Sequence, residues 1–219
     1  MHRLGMLIAA AALASGLSAC AGAPDDLSAI PRQSSMAPSV DRQSPDMSGG
    51  PAKPPSGFLD FCERNPGECP APHGAPGRIA FTDTIWAMLQ DVNQSVNNSI
   101  RPIDDSVHYG VVEYWTVPVD GYGDCEDYVL AKRKMLMLLG LPEPALRISV
   151  VLARGKVRHA VLTVVTDRGD YVLDNMNDDI LAPDRTEYTW VERQDPASRT
   201  GWVAMDQPRA VADGRPAPP

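Results

Sequence analysis

The segment Gly121–Gly140 carries a helical repeat with a cysteine at its first turn, and the pattern changes to that of strands soon after it ends. Tyr128, Lys132, Met135 and Leu139, with Val129 and Leu136 beside them, recur at spacings of three and four, while Arg133 and Lys134 fall on the other side. This spacing predicts one helix with one apolar face. Asp124 is the expected N-cap, Asp127 is placed to reach back to it, and Gly140-Leu141-Pro142 supplies the stop. Cys125 then takes the first helical position, where the helix dipole and unpaired amides favour thiolate over thiol. The flanking acids Asp124 and Glu126 oppose this, because negative charge raises a thiol pKa, and a histidine or a metal ion would have to answer them. The competing role for such a cysteine is that of a small buried apolar residue.

Beyond the helix the period becomes two. Arg147–Ala153, His159–Thr166 and Tyr171–Asp174 are rich in β-branched residues, and Asp167–Asp170 forms a turn between the last two. They predict an antiparallel meander. With an even number of residues in that turn, His159 and Asp174 share a face as diagonal neighbours, while Asn175 points the other way. Upstream, Ile79–Ile100 predicts a helix or two, with Ile85, Met88, Leu89, Val92 and Val96 on one side. His108 and Trp115 precede the cysteine; exposure is the expectation for His108 and packing for Trp115.

The meander and helices occupy only part of the 219 residues. Residues 1–19 pair Arg3 with a short apolar run, which reads as a secretion signal and is too short for a comfortable membrane span. Leu17-Ser-Ala-Cys20 resembles the lipobox of bacterial lipoproteins, making Cys20 a candidate lipidated N-terminus. Ala21 is not a retention aspartate, so the expected location is periplasmic, anchored to the outer membrane. Residues 20–57 are crowded with Pro, Ser and Gly and read as a disordered tether; residues 208–219 read as a tail of the same kind. The folded domain is expected over 58–207. A formal charge of −8 argues against a nucleic-acid partner.

Four cysteines fit an oxidising compartment. Cys62 and Cys69 flank Asn65-Pro66-Gly67, a loop that closes readily into a disulfide. With Cys20 lipidated, Cys125 remains as a free thiol, and further Cys or His ligands for zinc are not seen at suitable spacing. Cys125, His159 and Asp174 together make the parts of a catalytic triad. The imidazole takes the thiol proton and returns it to the leaving amine, the carboxylate orients the imidazole, and helix-start amides receive the oxyanion.

Glu113-Tyr-Trp115, Gly123-Asp-Cys-Glu-Asp-Tyr128 with Lys132, Arg158-His-Ala-Val-Leu162 and Val172-Leu-Asp-Asn175 resemble, in order, the bacterial transglutaminase-like cysteine proteinases, which include the LapG-type periplasmic proteases that release biofilm adhesins. The resemblance implies an α+β, papain/transglutaminase-like fold with the nucleophile helix packed on an antiparallel sheet. It assigns Cys125, His159 and Asp174 to the triad and implies a protein substrate, a cell-surface adhesin among the candidates. It also implies a Ca²⁺ site at Asp124 and Glu126; since calcium takes six to eight oxygens, Asp105 and Asp127 are candidates for further ligands that the sequence itself does not decide between, and the competing role for Asp124 is a plain helix cap. The expected activity is that of a lipid-anchored periplasmic cysteine peptidase. Acyl transfer to an amine, as in a transglutaminase, and a non-catalytic binding lipoprotein of the same fold are the alternatives.

Overall fold

A computed structural model describes residues 49–70 and 77–206. The secretion signal, Cys20, most of the tether and the C-terminal tail lie outside the described residues.

The main layer is a six-stranded antiparallel sheet built from β1 (Pro51–Ala52), β4 (Leu146–Leu152), β5 (Arg158–Thr166), β6 (Gly169–Leu173), β7 (Thr189–Gln194) and β8 (Trp202–Ala204) in the order β1-β8-β7-β4-β5-β6. The meander expected from the sequence is its half β4-β5-β6. Thr166 pairs with Gly169, so Asp167 and Arg168 alone make the turn, and this even count sets the register that His159 and Asp174 require. A second, two-stranded parallel pair joins β2 (Arg101–Pro102) to β3 (Tyr122–Gly123).

Among the described residues there are four α-helices: α1 (Ser56–Arg64), α2 (Asp83–Ser99), the single turn α3 (Asp105–His108), and α4 (Cys125–Leu138). Helix α2 begins at Thr82, whose hydroxyl accepts from the Ile85 N–H at 3.2 Å. Ile79, expected at the start of this helix, instead bridges to Thr166. Helix α4 packs against β5 and α2 and ends where the spacing placed its end. Gly140, at φ +94°, donates to the Met137 carbonyl, and Leu141 donates to Leu136, a pattern that satisfies the last carbonyls through a left-handed residue.

The buried face of α4 differs from the expected one. Tyr128, Val129, Lys132 and Leu136 are buried, but Met135 and Leu139 are exposed, and Arg133 is buried. Arg133 can be inside because it is satisfied there: its guanidinium donates to the carbonyls of Leu146 and Glu68 and to the Glu143 carboxylate. Lys134 pairs with Glu68 at 2.6 Å, so both cations tie the helix to the loop closed by the Cys62–Cys69 disulfide.

The ordered architecture also begins upstream of residue 58. β1 pairs with β8, and α1 starts at Ser56, inside the stretch that composition assigned to the tether. Two residues of strand are too short to leave a period, which is why composition hid them. The core between sheet and helices joins Leu162, Val164, Leu146 and Ile148 to Leu136, Val129 and Leu89, with Phe58 edge-on to both Trp115 and Trp202. A second cluster, Val151, Val161, Val172 and Trp190, is formed by alternate residues of the same strands.

Candidate active site

Cys125 is the first residue of α4, and it is the free cysteine among the described residues. Its partly buried sulfur accepts from the Ala160 N–H at 3.4 Å and donates to Glu126 Oε2 at 3.1 Å. The helix start is thus laid against the opening residues of β5, one position from His159. The His159 imidazole, buried beside this contact, bonds Asp174 Oδ1 through Nε2 at 2.8 Å. Cys125 and His159 line one cavity of about 260 Å³ together with Trp115, whose indole donates to Glu113 at 3.0 Å.

Asp174 lies just past the end of β6, diagonal to His159 as the register demands. It has two further donors: the Met176 N–H at 3.0 Å to Oδ1, and the Tyr188 hydroxyl to Oδ2. Burial pushes this carboxyl up, but the bonds from His159, Tyr188 and Met176 outweigh it and hold the group below its ordinary value. Tyr188 also lies against the His159 ring, with centroids 5.7 Å apart. Sequence reasoning missed Tyr188. The alternation Tyr188, Trp190, Glu192 was the available signal, since it marks the strand that delivers the hydroxyl.

The other side of the cysteine is acidic. The parallel pair β2-β3 continues in a bond from the Ile103 N–H to the Gly123 carbonyl at 3.0 Å, which brings α3 beside the start of α4. Carboxylate oxygens of Asp105, Asp124 and Glu126 consequently lie within 4.8 Å of one another. Glycine is required at 123, where a Cβ would sit 2.5 Å from the Asp127 carboxylate.

Asp124 occupies the N-cap position, but its side chain makes no capping bond; its Oδ2 accepts from the Asp105 N–H at 3.4 Å. Asp127 does turn toward the cap, where the Asp124 backbone N–H helps to lower its pKa, while its Oδ1 accepts from the Thr116 N–H at 2.8 Å. Of the capping arrangement read from the sequence, the Asp124 side chain is thus diverted to the preceding loop, while Asp127 keeps its place under the cap. Asp127 stands outside the group of three, whereas Asp105 joins it.

Burial, then mutual repulsion, raises Glu126 to about 9. Burial likewise raises Asp127 to about 8, against the bond from Thr116. The Cys125 thiol is pushed well above its ordinary value by burial and then by Glu126, so the conflict between helix dipole and flanking acids falls to the acids in the absence of a cation.

His108 takes no part in these contacts. It is half-buried rather than surface-exposed, bonds Asp120 at 3.0 Å and stacks on Tyr109. Trp115 is buried as expected and forms a wall of the cysteine cavity as well.

The family of bacterial transglutaminase-like cysteine proteinases (BTLCP) matches residues 48–210. The chain belongs to this family. It is a transglutaminase-like cysteine peptidase, with the α+β fold that the family implies. Solved structures of LapG from Legionella pneumophila are similar to it. The calcium-bound form is 26% identical with a TM-score of 0.48, covering 55% of this chain and 69% of that one. The EGTA-treated form is 25% identical with a TM-score of 0.47, covering 56% and 72%. None of the curated proteins matches the sequence.

Proposed function

We propose that this BTLCP peptidase cleaves a protein substrate through Cys125, His159 and Asp174. The observation that carries the reading is the buried His159–Asp174 pair, whose imidazole lines the same cavity as the thiol at the start of α4. Because Nε2 is engaged with Asp174, Nδ1 is the nitrogen that exchanges protons with substrate and thiol.

Nδ1 takes the thiol proton as Sγ attacks the scissile carbonyl carbon, and first-turn amides of α4 receive the oxyanion. As the tetrahedral adduct collapses, the C–N bond breaks and His159 gives its proton to the leaving amine. Water, deprotonated by the same imidazole, then hydrolyses the thioester. Asp174, fixed by Tyr188 and Met176, keeps the ring oriented and stabilises it when protonated.

A calcium ion held by Asp105, Asp124 and Glu126 belongs to the same reading. The donors are hard oxygens, and Asp105 Oδ1 and Asp124 Oδ1 are buried without a hydrogen-bond partner. When bound, the ion supplies positive charge beside Cys125 and so lowers the cost of ionising the thiol. We further propose that Cys20 carries lipid, that the mature chain is anchored in the periplasm to the outer membrane, and that the substrate is a surface adhesin.

The test combines labelling with product analysis. In the purified unreduced chain, iodoacetamide should alkylate Cys125 alone, and His159→Ala should slow that reaction. Mass spectrometry of periplasmic and surface proteins from cells carrying wild-type or Cys125→Ala protein should reveal fragments only in the former. Identical protein patterns in both would overturn the proposal, and amine-tagged products in place of fragments would mean acyl transfer instead. Loss of membrane fractionation in Cys20→Ala tests the anchor; a soluble wild-type chain beginning elsewhere would refute it.

A further inference from the structure

His159 separates two cavities. One, of about 260 Å³, contains Cys125. The other, of about 560 Å³, touches His159 and Asp174 but not the cysteine, and falls within the roughly 300–1,000 Å³ usual for ligand sites. Among the described residues, Arg158 and His159 line both. The larger cavity is enclosed by the β4–β5 connection, the chain leaving β6 and the approach to β7. Val157, Val172, Met176, Leu181 and Tyr188 give it an apolar lining, and the exposed Arg154–Glu187 pair, at 2.5 Å, stands at its edge. Val157 and Met176 are 63% and 66% exposed, so two apolar side chains face solvent at its mouth.

Which half of a substrate this cavity receives follows from the chemistry. The acyl half becomes bonded to Sγ and stays on the cysteine side. The leaving amine takes its proton from His159, so its nitrogen must lie against that ring, and the chain that continues from it runs past the imidazole and away from Sγ. We propose that the larger cavity is the leaving-group subsite of the peptidase, and that it selects substrates with a bulky apolar side chain in the first residues after the scissile bond. The inference rests on the catalytic reading above. Val157 and Met176 are its specificity-determining residues, because they are the apolar groups that a bound side chain would remove from water.

The reverse of the cleavage step isolates this subsite. p-Nitrophenyl acetate acetylates the thiol and releases p-nitrophenol, without demanding recognition of an acyl-side peptide. An added amino-acid amide then attacks the thioester: its nitrogen bonds the acetyl carbon, the C–S bond breaks, and the amine proton passes through His159 to the departing sulfur. Partition between acetylated amide and acetate is counted per acetyl-enzyme, so it does not depend on how fast the acetyl-enzyme forms.

Phenylalaninamide and leucinamide should capture the acetyl group about tenfold better than glycinamide, the scale on which apolar pockets discriminate. Met176→Asp and Val157→Asp should each erode that preference, and the double variant should remove it. Equal capture of glycinamide and phenylalaninamide by the wild-type chain would overturn the proposal, as would a preference that survives in the folded double variant. Intact mass distinguishes the other failure: if no acetyl group appears on Cys125, the catalytic reading is wrong and the subsite falls with it.

Discussion

Asp174 shows how one carboxylate is fitted to its place by its donors. Burial alone would push it toward the neutral form, and three hydrogen bonds reverse that. A carboxyl held below its ordinary value contributes stability above that value and loses it as pH falls through the lowered one, so this contribution fails only in acid. Tyr188→Phe removes one bond to the charged group, a loss of about 1.5–3 kcal/mol in unfolding free energy at neutral pH by denaturant titration. With the imidazole less well held, kcat should drop about tenfold, equivalent to ~1.4 kcal/mol, and the acid limb of kcat/KM should move to higher pH. An unmoved acid limb would mean that Tyr188 packs against the site without tuning it. His159 and Asp174 were legible in the sequence because strand alternation and an even turn dictate that they meet. Tyr188 was not, since its partner lies across a stretch of irregular chain that has no period to count.

Element ends were legible where local chemistry decides them and hidden where a distant element does. Gly140 stops α4 by its own conformational freedom, and Asp124 does stand where a cap should. The direction of its side chain, however, is set by α3, which the β2-β3 pair brings alongside; nothing local to Asp124 announces this. Arg133 was misjudged for a related reason, as its acceptors come from the disulfide loop and from β4 and the turn before it. The outer strands β1 and β8, of two and three residues, are too short to show alternation at all.

Two outcomes are expected at this scale. Asp124→Ala, compared with wild type by urea unfolding in EGTA, should cost less than the ~1 kcal/mol of a working N-cap; a larger loss would restore the capping role. Replacing Cys62 and Cys69 together with serine should destabilise the chain by about 2–3 kcal/mol, the loop-closure value for so short a ring. Cys125 alkylation should proceed under folded conditions in that variant, and its disappearance would show that the loop supports the start of α4 as well as the fold.

For the whole molecule, the proposed calcium site at the acidic cluster would make stability, pH and calcium interdependent. Glu126, raised to about 9, and Asp127, raised to about 8, bind protons in the folded chain that the unfolded chain has already released above its ordinary carboxylate values. Where the folded state holds more protons, stability falls as pH rises, so metal-free protein should lose thermal stability steadily from pH 5 to pH 7. Lys132 acts in the opposite sense over a different range. Burial lowers it to about 7, against the pull of Asp174 and Asp178, so from there upward the unfolded chain holds the extra proton and the decline should flatten. Calcium changes the sign below that point, because the carboxylates that bind it must first ionise, and ionisation is what higher pH provides. At a hundredfold excess over Kd the ion should add about 2.7 kcal/mol, or roughly 5–10 °C in Tm for a domain of this size. The increment should grow between pH 5 and pH 8 and should be much smaller with Mg²⁺, which prefers a tighter octahedron. Thermal melts in EGTA, in calcium and in magnesium across that range decide the matter. Parallel curves, with a calcium increment that does not vary with pH, would mean that the ion binds somewhere other than Asp105, Asp124 and Glu126.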